Sequence, residues 1–268
     1  MHAVARRILR YKHLPSQYCP GCGGGTIMNI AARAVDELGI VDRVCTVGGI
    51  GCSSQIATYF NTDVMKTPHG RALPAAIALK LTNPTRKVLV FMGDGDCVAI
   101  GGNHLIHTAR KNVDVTAIMV NNQVYGLTGG QVAPTTPIHA STMTTPYGKL
   151  EPAVDACELV KTAGATFISR WSTAHPKQLL RAIKKAIMHP GFAFVEVISQ
   201  CPVQAGRYIL GSGDPVEHMR WLRQTCLTRG QMEKLSPEER AKKVMVGDFL
   251  EEIRPEYSDL TYALMKSF

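Results

Sequence analysis

Two short segments of this chain carry the residue types of a magnesium and phosphate site. Gly93-Asp94-Gly95 follows one apolar run, and Asn121-Asn122 follows the next apolar run along the chain. Carboxylate and amide oxygens are hard ligands that suit Mg²⁺. Glycines let the backbone approach a phosphate closely, and the N-terminus of a following helix directs amide groups towards the anion. The pair of segments predicts a hard-oxygen site suited to Mg²⁺; the alternative is an ordinary strand-end turn beside an unrelated asparagine pair.

A second candidate site is built from cysteines, of which the chain has eight. Cys19-x-x-Cys22 is compatible with zinc, a redox dithiol or an iron–sulfur cluster. Cys52 and Cys201, each just beyond a predicted strand, are the best candidates for two further ligands. Four thiolates there would hold either [4Fe–4S] or Zn²⁺. Three other cysteines are predicted to be small packing residues: Cys45, Cys97 and Cys157.

The elements that must position these residues alternate between strand and helix. Apolar runs predict strands at 44–47, 88–92, 115–120, 166–169 and 192–198, and helical periodicity predicts helices at 24–38, 72–81, 103–111 and 176–189. This alternation is typical of an α/β fold with a doubly wound, mainly parallel sheet and helices on both faces. In such sheets ligands bind at the carboxyl ends of the strands, where both candidate sites fall.

The chain divides into two predicted parts. Residues 1–205 form the α/β domain with both candidate sites, and residues 206–268 form a C-terminal extension that packs on this core or on a partner subunit. From about residue 223 the extension is charged and is expected to be helical. The stretch 126–149 is rich in Gly, Thr and Pro and too long for an incidental connection, which favours a functional loop.

The bulk composition favours a cytoplasmic protein. The chain is 45% hydrophobic and 19% charged, with no apolar run that could cross a membrane and no apolar signal core at its basic N-terminus, which we expect to be a short surface arm. The net charge of +9 comes from dispersed lysines and arginines without a long basic run, so we expect no nucleic-acid partner. This charge could attract an acidic partner or a phosphorylated cofactor, or merely solvate the surface.

Six motifs, in order, resemble those of a known family: "CPGCG", "GIGCS", "PHGRALPAAIALKLTNP", "GDGDCVAIGGNHLIH", "NNQVYGLTGGQ" and "CPVQAGR". Over roughly residues 15–215 the chain resembles the β subunit of the 2-oxoacid:ferredoxin oxidoreductases, which have a thiamine diphosphate-binding fold. The resemblance implies thiamine diphosphate with Mg²⁺, and a [4Fe–4S] cluster on Cys19, Cys22, Cys52 and Cys201. It also implies oxidative decarboxylation of a 2-oxoacid with coenzyme A to acyl-CoA and CO₂, or the reverse carboxylation, with electrons passed singly through the cluster to ferredoxin.

The resemblance also implies roles for individual residues. The Val124 carbonyl would be a third Mg²⁺ ligand beside Asp94 and Asn122, and His69 and Arg71 would be catalytic. For His69 the alternative is a surface turn that caps the next helix. The implied cofactor-binding residues are Gly51, Ser53, His69, Gly93, Asp94, Gly95, Asp96, Asn122, Val124, Gly126, Leu127 and Thr128.

"LTGGQ" and "CPVQAGR" are most similar to the subgroup that uses 2-oxoglutarate, with pyruvate and branched-chain or aryl 2-oxoacids as alternatives. Because the chain has one diphosphate-binding half, the resemblance implies an α subunit that carries the pyrimidine half and the coenzyme A site, in an αβ or (αβ)₂ assembly with or without small extra subunits. Two other hypotheses are a zinc-stabilised nucleic-acid-binding domain and a thiamine-dependent lyase without redox output.

Overall fold

The computed structural model describes residues 3–268 of the chain. Its strands are β1 (Val44–Gly48), β2 (Asp63–Lys66), β3 (Lys87–Gly93), β4 (Thr116–Asn121), β5 (Val124–Tyr125), β6 (Gln131–Val132), β7 (Phe167–Ser172), β8 (Ala193–Ile198), β9 (Cys226–Thr228) and β10 (Val244–Glu251). Its α-helices are α1 (Ala3–Ile8), α2 (Gly23–Leu38), α3 (Ile56–Tyr59), α4 (Ala72–Thr82), α5 (Gly102–Lys111), α6 (Ala156–Ala163), α7 (Pro176–Met188), α8 (Pro215–Thr225), α9 (Arg229–Met232), α10 (Pro237–Arg240) and α11 (Tyr257–Met265). The chain also has two π-helical turns, Gly95–Ile100 and Gly206–Leu210. The first begins at the last residue of the Gly93-Asp94-Gly95 segment, and the second begins shortly after Cys201.

The central sheet has the order β2-β1-β3-β4-β8-β7-β10-β9, and its strands are parallel except for the antiparallel pair β7 and β10. Residues alternate between its two faces because successive side chains of a strand point in opposite directions. On β3, Leu89 and Phe91 join the core beneath α2 and α7, whereas Val88, Val90 and Met92 join the core beneath α4, α5 and α6. The predicted doubly wound, mainly parallel sheet is confirmed.

Chain order reverses between β1 and β3, because β1 pairs with β2 on one side and with β3 on the other. The crevice at such a reversal is where doubly wound sheets bind ligands. The carboxyl ends of β1, β3 and β4 therefore form one edge, where the segments "GGIGC", "GDG" and "NN" meet.

Two expectations about the chain ends need correction. The N-terminal region is not merely a surface arm, since Ile8 and Leu9 are buried and Leu9 forms a β-bridge with Phe60; residues 1–2 lie outside the described part. The C-terminal extension is not simply helical, because β10 adds to the sheet beside β7. β10 was missed because Gly247 and Asp248 interrupt its alternation, and its register shifts between Asp248 and Leu250.

No helix in the described part of the chain is both long and apolar enough to cross a membrane.

Candidate active site

A cavity lies at the carboxyl ends of β1, β3 and β4. It is lined by Ile50, Gly51, Cys52, Ser53, His69, Gly93, Asp94, Gly95, Asp96, Asn122, Val124, Tyr125, Gly126, Leu127 and Thr128. Every residue expected to contact the cofactor is in this lining, although the residues come from four separate stretches of the chain. Ile50 and Tyr125 were missed, although they lie inside the motifs "GIGCS" and "NNQVYGLTGGQ", and only that position could have suggested them.

Asp94 directly follows β3, and 2% of its surface is exposed. Burial raises its pKa from 3.8 to about 6, against the lowering effect of a hydrogen bond from Thr135 Oγ1 and of nearby backbone amides. A buried carboxylate of this kind is stabilised by a bound cation, which replaces the lost hydration. Asn122 and Val124, which carry an amide oxygen and a backbone carbonyl oxygen, line the same cavity. This all-oxygen donor set fits Mg²⁺.

The turn after β4 is bent sharply to bring Val124 to the cavity. Gln123 has φ of 67°, a left-handed conformation that is uncommon for a residue other than glycine. Its amide donates to Asn121 Oδ1 at 3.2 Å, and its carbonyl accepts from Thr136 Oγ1 at 2.5 Å. The Val124 amide donates to Asn122 Oδ1 at 3.3 Å. These bonds hold the turn on both sides.

The long loop 126–149 supplies the threonines that support both ligand segments. Lys149 Nζ donates to the carbonyls of Pro134 and Thr136, at 2.8 and 3.0 Å, and so anchors the part of the loop that contains Thr135. Thr135 contacts Asp94, as described above. The sequence predicts a functional loop here, but it does not single out Thr135, Thr136 or Lys149. Their role depends on contacts such as that of Thr135 with Asp94, which joins residues far apart in the chain.

Two glycines are required by close packing around the cavity. A Cβ atom on Gly95 would lie 2.3 Å from a ring carbon of Tyr125, and one on Gly49 would lie 2.1 Å from a carboxylate oxygen of Asp96. Since real Cβ atoms do not approach so closely, any larger residue would displace a cavity wall.

Asp96 joins three loops rather than presenting free oxygens to the cavity. Its Oδ1 contacts His69 Nδ1 and accepts from the Gly70 amide at 2.7 Å, while its Oδ2 accepts from Ser54 Oγ at 3.3 Å. The ring of Tyr125 packs edge-on against the imidazole of His69, with 5.9 Å between centroids. With Nδ1 held by the carboxylate, the other ring nitrogen of His69 is left for contacts in the cavity.

Arg71 does not line the cavity. Its side chain is exposed and lies 3.4 Å from the carbonyls of Gly70 and Ile100. The residue that caps α4 is Arg71 itself, without a side-chain capping bond, so His69 does not have the capping role that was its alternative.

The four candidate cluster cysteines converge next to this cavity. Burial, the largest cause, and the neighbouring thiols of Cys201, Cys52 and Cys19 together raise the pKa of Cys22 to about 12, against the lowering effect of the Gly24 amide. Cys19 is exposed and the other three are partly buried. The remaining four cysteines, Cys45, Cys97, Cys157 and Cys226, are buried, which agrees with the packing role predicted for the first three.

Gly126 lies beside both sets of candidate ligands. A Cβ atom at this position would lie 3.4 Å from Asn122 Nδ2 and 3.7 Å from Cys201 Sγ. Asn122 and Cys201 therefore approach each other around one glycine, so that groups bound by the two sets would be close neighbours.

Comparisons with known proteins agree with this geometry. The family model described as thiamine pyrophosphate enzyme, C-terminal TPP binding domain, matches residues 49–197. The chain is similar to the 2-oxoglutarate synthase subunit KorB of Methanocaldococcus jannaschii, with 43% identity over 98% of this chain and 97% of that protein. It is 47% identical to the subunit of the same name from Methanothermobacter thermautotrophicus, over 93% of this chain and 87% of that protein. The chain belongs to the β subunits of the 2-oxoacid:ferredoxin oxidoreductases.

A solved structure supports the same assignment for this β subunit. It is a 2-oxoglutarate:ferredoxin oxidoreductase from Magnetococcus marinus with 2-oxoglutarate, coenzyme A and succinyl-CoA bound, which is 31% identical. The match has a TM-score of 0.86 and covers 98% of this chain and 90% of that one. The resemblance seen in the six motifs, including its 2-oxoglutarate subgroup, is confirmed, and the β subunit is part of an oxidoreductase.

Proposed function

We propose that this β subunit binds thiamine diphosphate and Mg²⁺ in the cavity, and ligates a [4Fe–4S] cluster with Cys19, Cys22, Cys52 and Cys201. The substrate is 2-oxoglutarate, which is oxidatively decarboxylated with coenzyme A to succinyl-CoA and CO₂, and the electrons pass to ferredoxin. The observation that carries the proposal is that Asn122 and Cys201 both lie beside Gly126, which brings the candidate oxygen ligands and the thiols close together. The reverse reaction, carboxylation, uses the same residues.

Asp94, Asn122 and the Val124 carbonyl would hold Mg²⁺. The glycine-lined wall beside them, formed by Gly51, Gly93, Gly95 and Gly126, leaves room for the diphosphate. Thiamine diphosphate, when bound, supplies the carbon acid that makes decarboxylation of a 2-oxoacid feasible. The residues of this chain orient that cofactor, neutralise its diphosphate through the cation, and keep its reactive end beside the thiols.

The spacing of the thiols favours an iron–sulfur cluster over zinc. Four sulfurs around one zinc ion, each at about 2.3 Å, would lie about 3.8 Å from one another in tetrahedral geometry. Within residues 3–268, no three of these four sulfurs lie within 4.8 Å of one another. A four-iron cluster holds its cysteines further apart because the metal and sulfide ions lie between them. Only such a cluster could also accept electrons singly, which the transfer to ferredoxin requires.

His69 is proposed to act in the cavity as a hydrogen-bonding group towards the anionic substrate or cofactor. The carboxylate of Asp96 holds Nδ1, which leaves Nε2 for this contact. Asp96 itself then supports His69 and the two neighbouring loops instead of binding the cofactor directly. Arg71 has no role in the proposed cavity.

The α subunit would cover the open side of the cavity. Leu127, at the cavity, and Met143, Tyr147 and Leu150, on the same loop, are large apolar side chains that this chain leaves exposed. Exposed apolar groups concentrated beside a binding site are typical of a subunit interface. We propose an αβ or (αβ)₂ assembly, in which the α subunit contributes the pyrimidine half and the coenzyme A site. Ferredoxin would approach the cluster near Cys19, the one exposed ligand of the four.

The test is anaerobic co-purification with the α subunit, followed by iron analysis and a panel of 2-oxoacids that reduce a viologen dye or ferredoxin in the presence of coenzyme A. We expect about four iron atoms per β subunit and the highest kcat/KM with 2-oxoglutarate. A higher kcat/KM with pyruvate or a branched-chain 2-oxoacid would refute the substrate, and zinc without iron would refute the cluster. Decarboxylation without reduction of the dye would favour a lyase.

A further inference from the structure

A buried chain of hydrogen bonds runs from the middle of the sheet to the turn that carries the Mg²⁺ ligands. Glu196 lies on β8 with 2% of its surface exposed, between β4 and β7. Its Oε2 accepts from Arg170 Nε at 2.6 Å and from Cys157 Sγ at 3.2 Å. Its Oε1 accepts from Asn121 Nδ2 at 2.7 Å, and Asn121 Oδ1 then accepts from the amide of Gln123 at 3.2 Å.

The chemistry of these groups allows only one direction for the chain of bonds. A guanidinium has no acceptor, and an ionised carboxylate has no donor. Arg170 therefore makes Glu196 an acceptor, and Glu196 makes Asn121 present its NH₂ group. The oxygen of Asn121 is then turned towards Gln123, whose amide needs an acceptor. With a reversed Asn121 amide, two N–H donors would face each other in a buried site.

The orientation of the Asn121 side-chain amide determines whether the backbone amide of Gln123 has an acceptor. Gln123 has φ of 67° and lies between Asn122 and Val124, the two proposed ligands of the turn. A left-handed non-glycine residue persists only where its surroundings hold it. The bonds to Asn121 and Thr136 do so here.

The buried ion pair is not itself a second metal site. Oxygens of Asp155 and Glu196 and the sulfur of Cys157 lie within 4.8 Å of one another. However, the Arg170 guanidinium contacts both carboxylates, with Nη2 2.5 Å from Asp155 Oδ1. It takes the place that a cation would occupy. A buried ion pair generally adds little to the net stability of a fold. A contribution to stability therefore does not by itself explain why Arg170 and Glu196 are paired inside this sheet.

We propose that Glu196 and Asn121 are positioning residues, which hold the metal-binding turn in its ligating shape because Glu196 sets the orientation of the Asn121 amide. This inference rests on the proposed Mg²⁺ site. It predicts that an acceptor for the Gln123 amide, rather than the identity of either residue, is what the turn requires.

The test exchanges the acid and the amide. In E196Q the new amide donates towards Asn121, which reverses and loses its bond to Gln123. In N121D two carboxylates face each other. In the double variant N121D/E196Q the glutamine amide donates to the aspartate, so the bond between the two side chains is reversed, while the other aspartate oxygen accepts from the Gln123 amide and restores the bond that holds the turn. Each single variant should weaken Mg²⁺-dependent binding of thiamine diphosphate by about 10- to 100-fold, as loss of an outer hydrogen bond to a metal site does.

The measurement is the Kd of thiamine diphosphate, by titration calorimetry with the cofactor-free αβ complex at a fixed Mg²⁺ concentration. The double variant should bind with a Kd within about threefold of that of the unmodified complex, because the acceptor for the Gln123 amide is restored. If the two substitutions acted independently, their losses of affinity would instead add. Hydrogen exchange of the segment 120–126, without cofactor, should be faster in the single variants and normal in the double variant. Cys157→Ala is the matched control, since it removes a donor to Glu196 without changing the orientation of Asn121, and should bind normally.

Losses that simply add in the double variant would overturn the inference, as would single variants that bind normally. If the single variants do not fold, the comparison of the double variant with the unmodified complex decides in the same way. If the unmodified complex shows no Mg²⁺-dependent binding, the proposed site is refuted, and the inference with it. Normal binding by the unmodified complex and by every variant refutes the inference alone.

Discussion

Replacing Asp94 by asparagine should stabilise the cofactor-free protein while it removes Mg²⁺-dependent binding of thiamine diphosphate. Burial raises the pKa of Asp94 from 3.8 to about 6. One pKa unit corresponds to about 1.4 kcal/mol, so the ionised carboxylate costs the folded state at most about 3 kcal/mol at neutral pH. Asparagine removes this cost but accepts more weakly from Thr135, and we therefore expect a gain of about 1–3 kcal/mol.

The sign of this effect sets its pH dependence. Because the folded pKa of Asp94 is higher than the unfolded one, the destabilisation is complete above about pH 6 and disappears below about pH 4. The stability advantage of Asp94→Asn should therefore be larger at pH 7.5 than at pH 5. Below pH 6 protons also compete with Mg²⁺ for the carboxylate, so cofactor affinity of the unmodified protein should fall.

The assay is thermal unfolding of the cofactor-free αβ complex from pH 5 to pH 8, with and without Mg²⁺ and thiamine diphosphate. A gain of 1 kcal/mol raises the midpoint by roughly 2–4 °C for a chain of this size. Asp96→Asn is the matched control, since it breaks the bonds to His69 and two loops and should lower the midpoint. A lower midpoint for Asp94→Asn at pH 7.5, or an advantage independent of pH, would refute the reasoning.

Three further predictions concern the cysteines, the histidine and the glycine wall. Cys22→Ser should lose most of the iron and its absorbance near 400 nm, whereas Cys45→Ser, at a buried packing position, should retain both; equal iron content in the two proteins would contradict the ligand assignment. Asp96→Asn and His69→Asn should each lower kcat/KM by about 10-fold or more. Because Asp96 acts through His69, the double variant should have a kcat/KM no lower than that of the more damaged single variant. Losses that add in the double variant would exclude that relation. Gly95→Ala should weaken cofactor binding by at least about tenfold, measured by calorimetry, because its methyl group overlaps an aromatic ring of the cavity; unchanged affinity would show that the wall can move.

Much of the site could be predicted because its parts lie at the ends of consecutive elements. β3, α5 and β4 follow one another in the chain, and because β3 and β4 pair in parallel, their carboxyl ends lie at the same edge of the sheet. Asp94 and Asn122 were therefore expected to meet. By contrast, Arg71 is only two residues from His69 but does not line the cavity and contacts the Ile100 carbonyl instead, because the position of a side chain in a loop depends on contacts that a local pattern does not contain.

The sequence alone determined the strand–helix alternation, the ligand types and the family, since apolar periodicity and short motifs are local properties of the chain. Only the tertiary structure decided which residues support the ligands. Asn121 and Glu196 meet because β4 and β8 are neighbours in the sheet, although β5, β6, α6, β7 and α7 lie between these two strands in the chain. Thr135 reaches Asp94 through a folded loop. These contacts join residues distant in sequence, and their energy depends on burial and on hydrogen-bond direction, which arise only when the chain is packed.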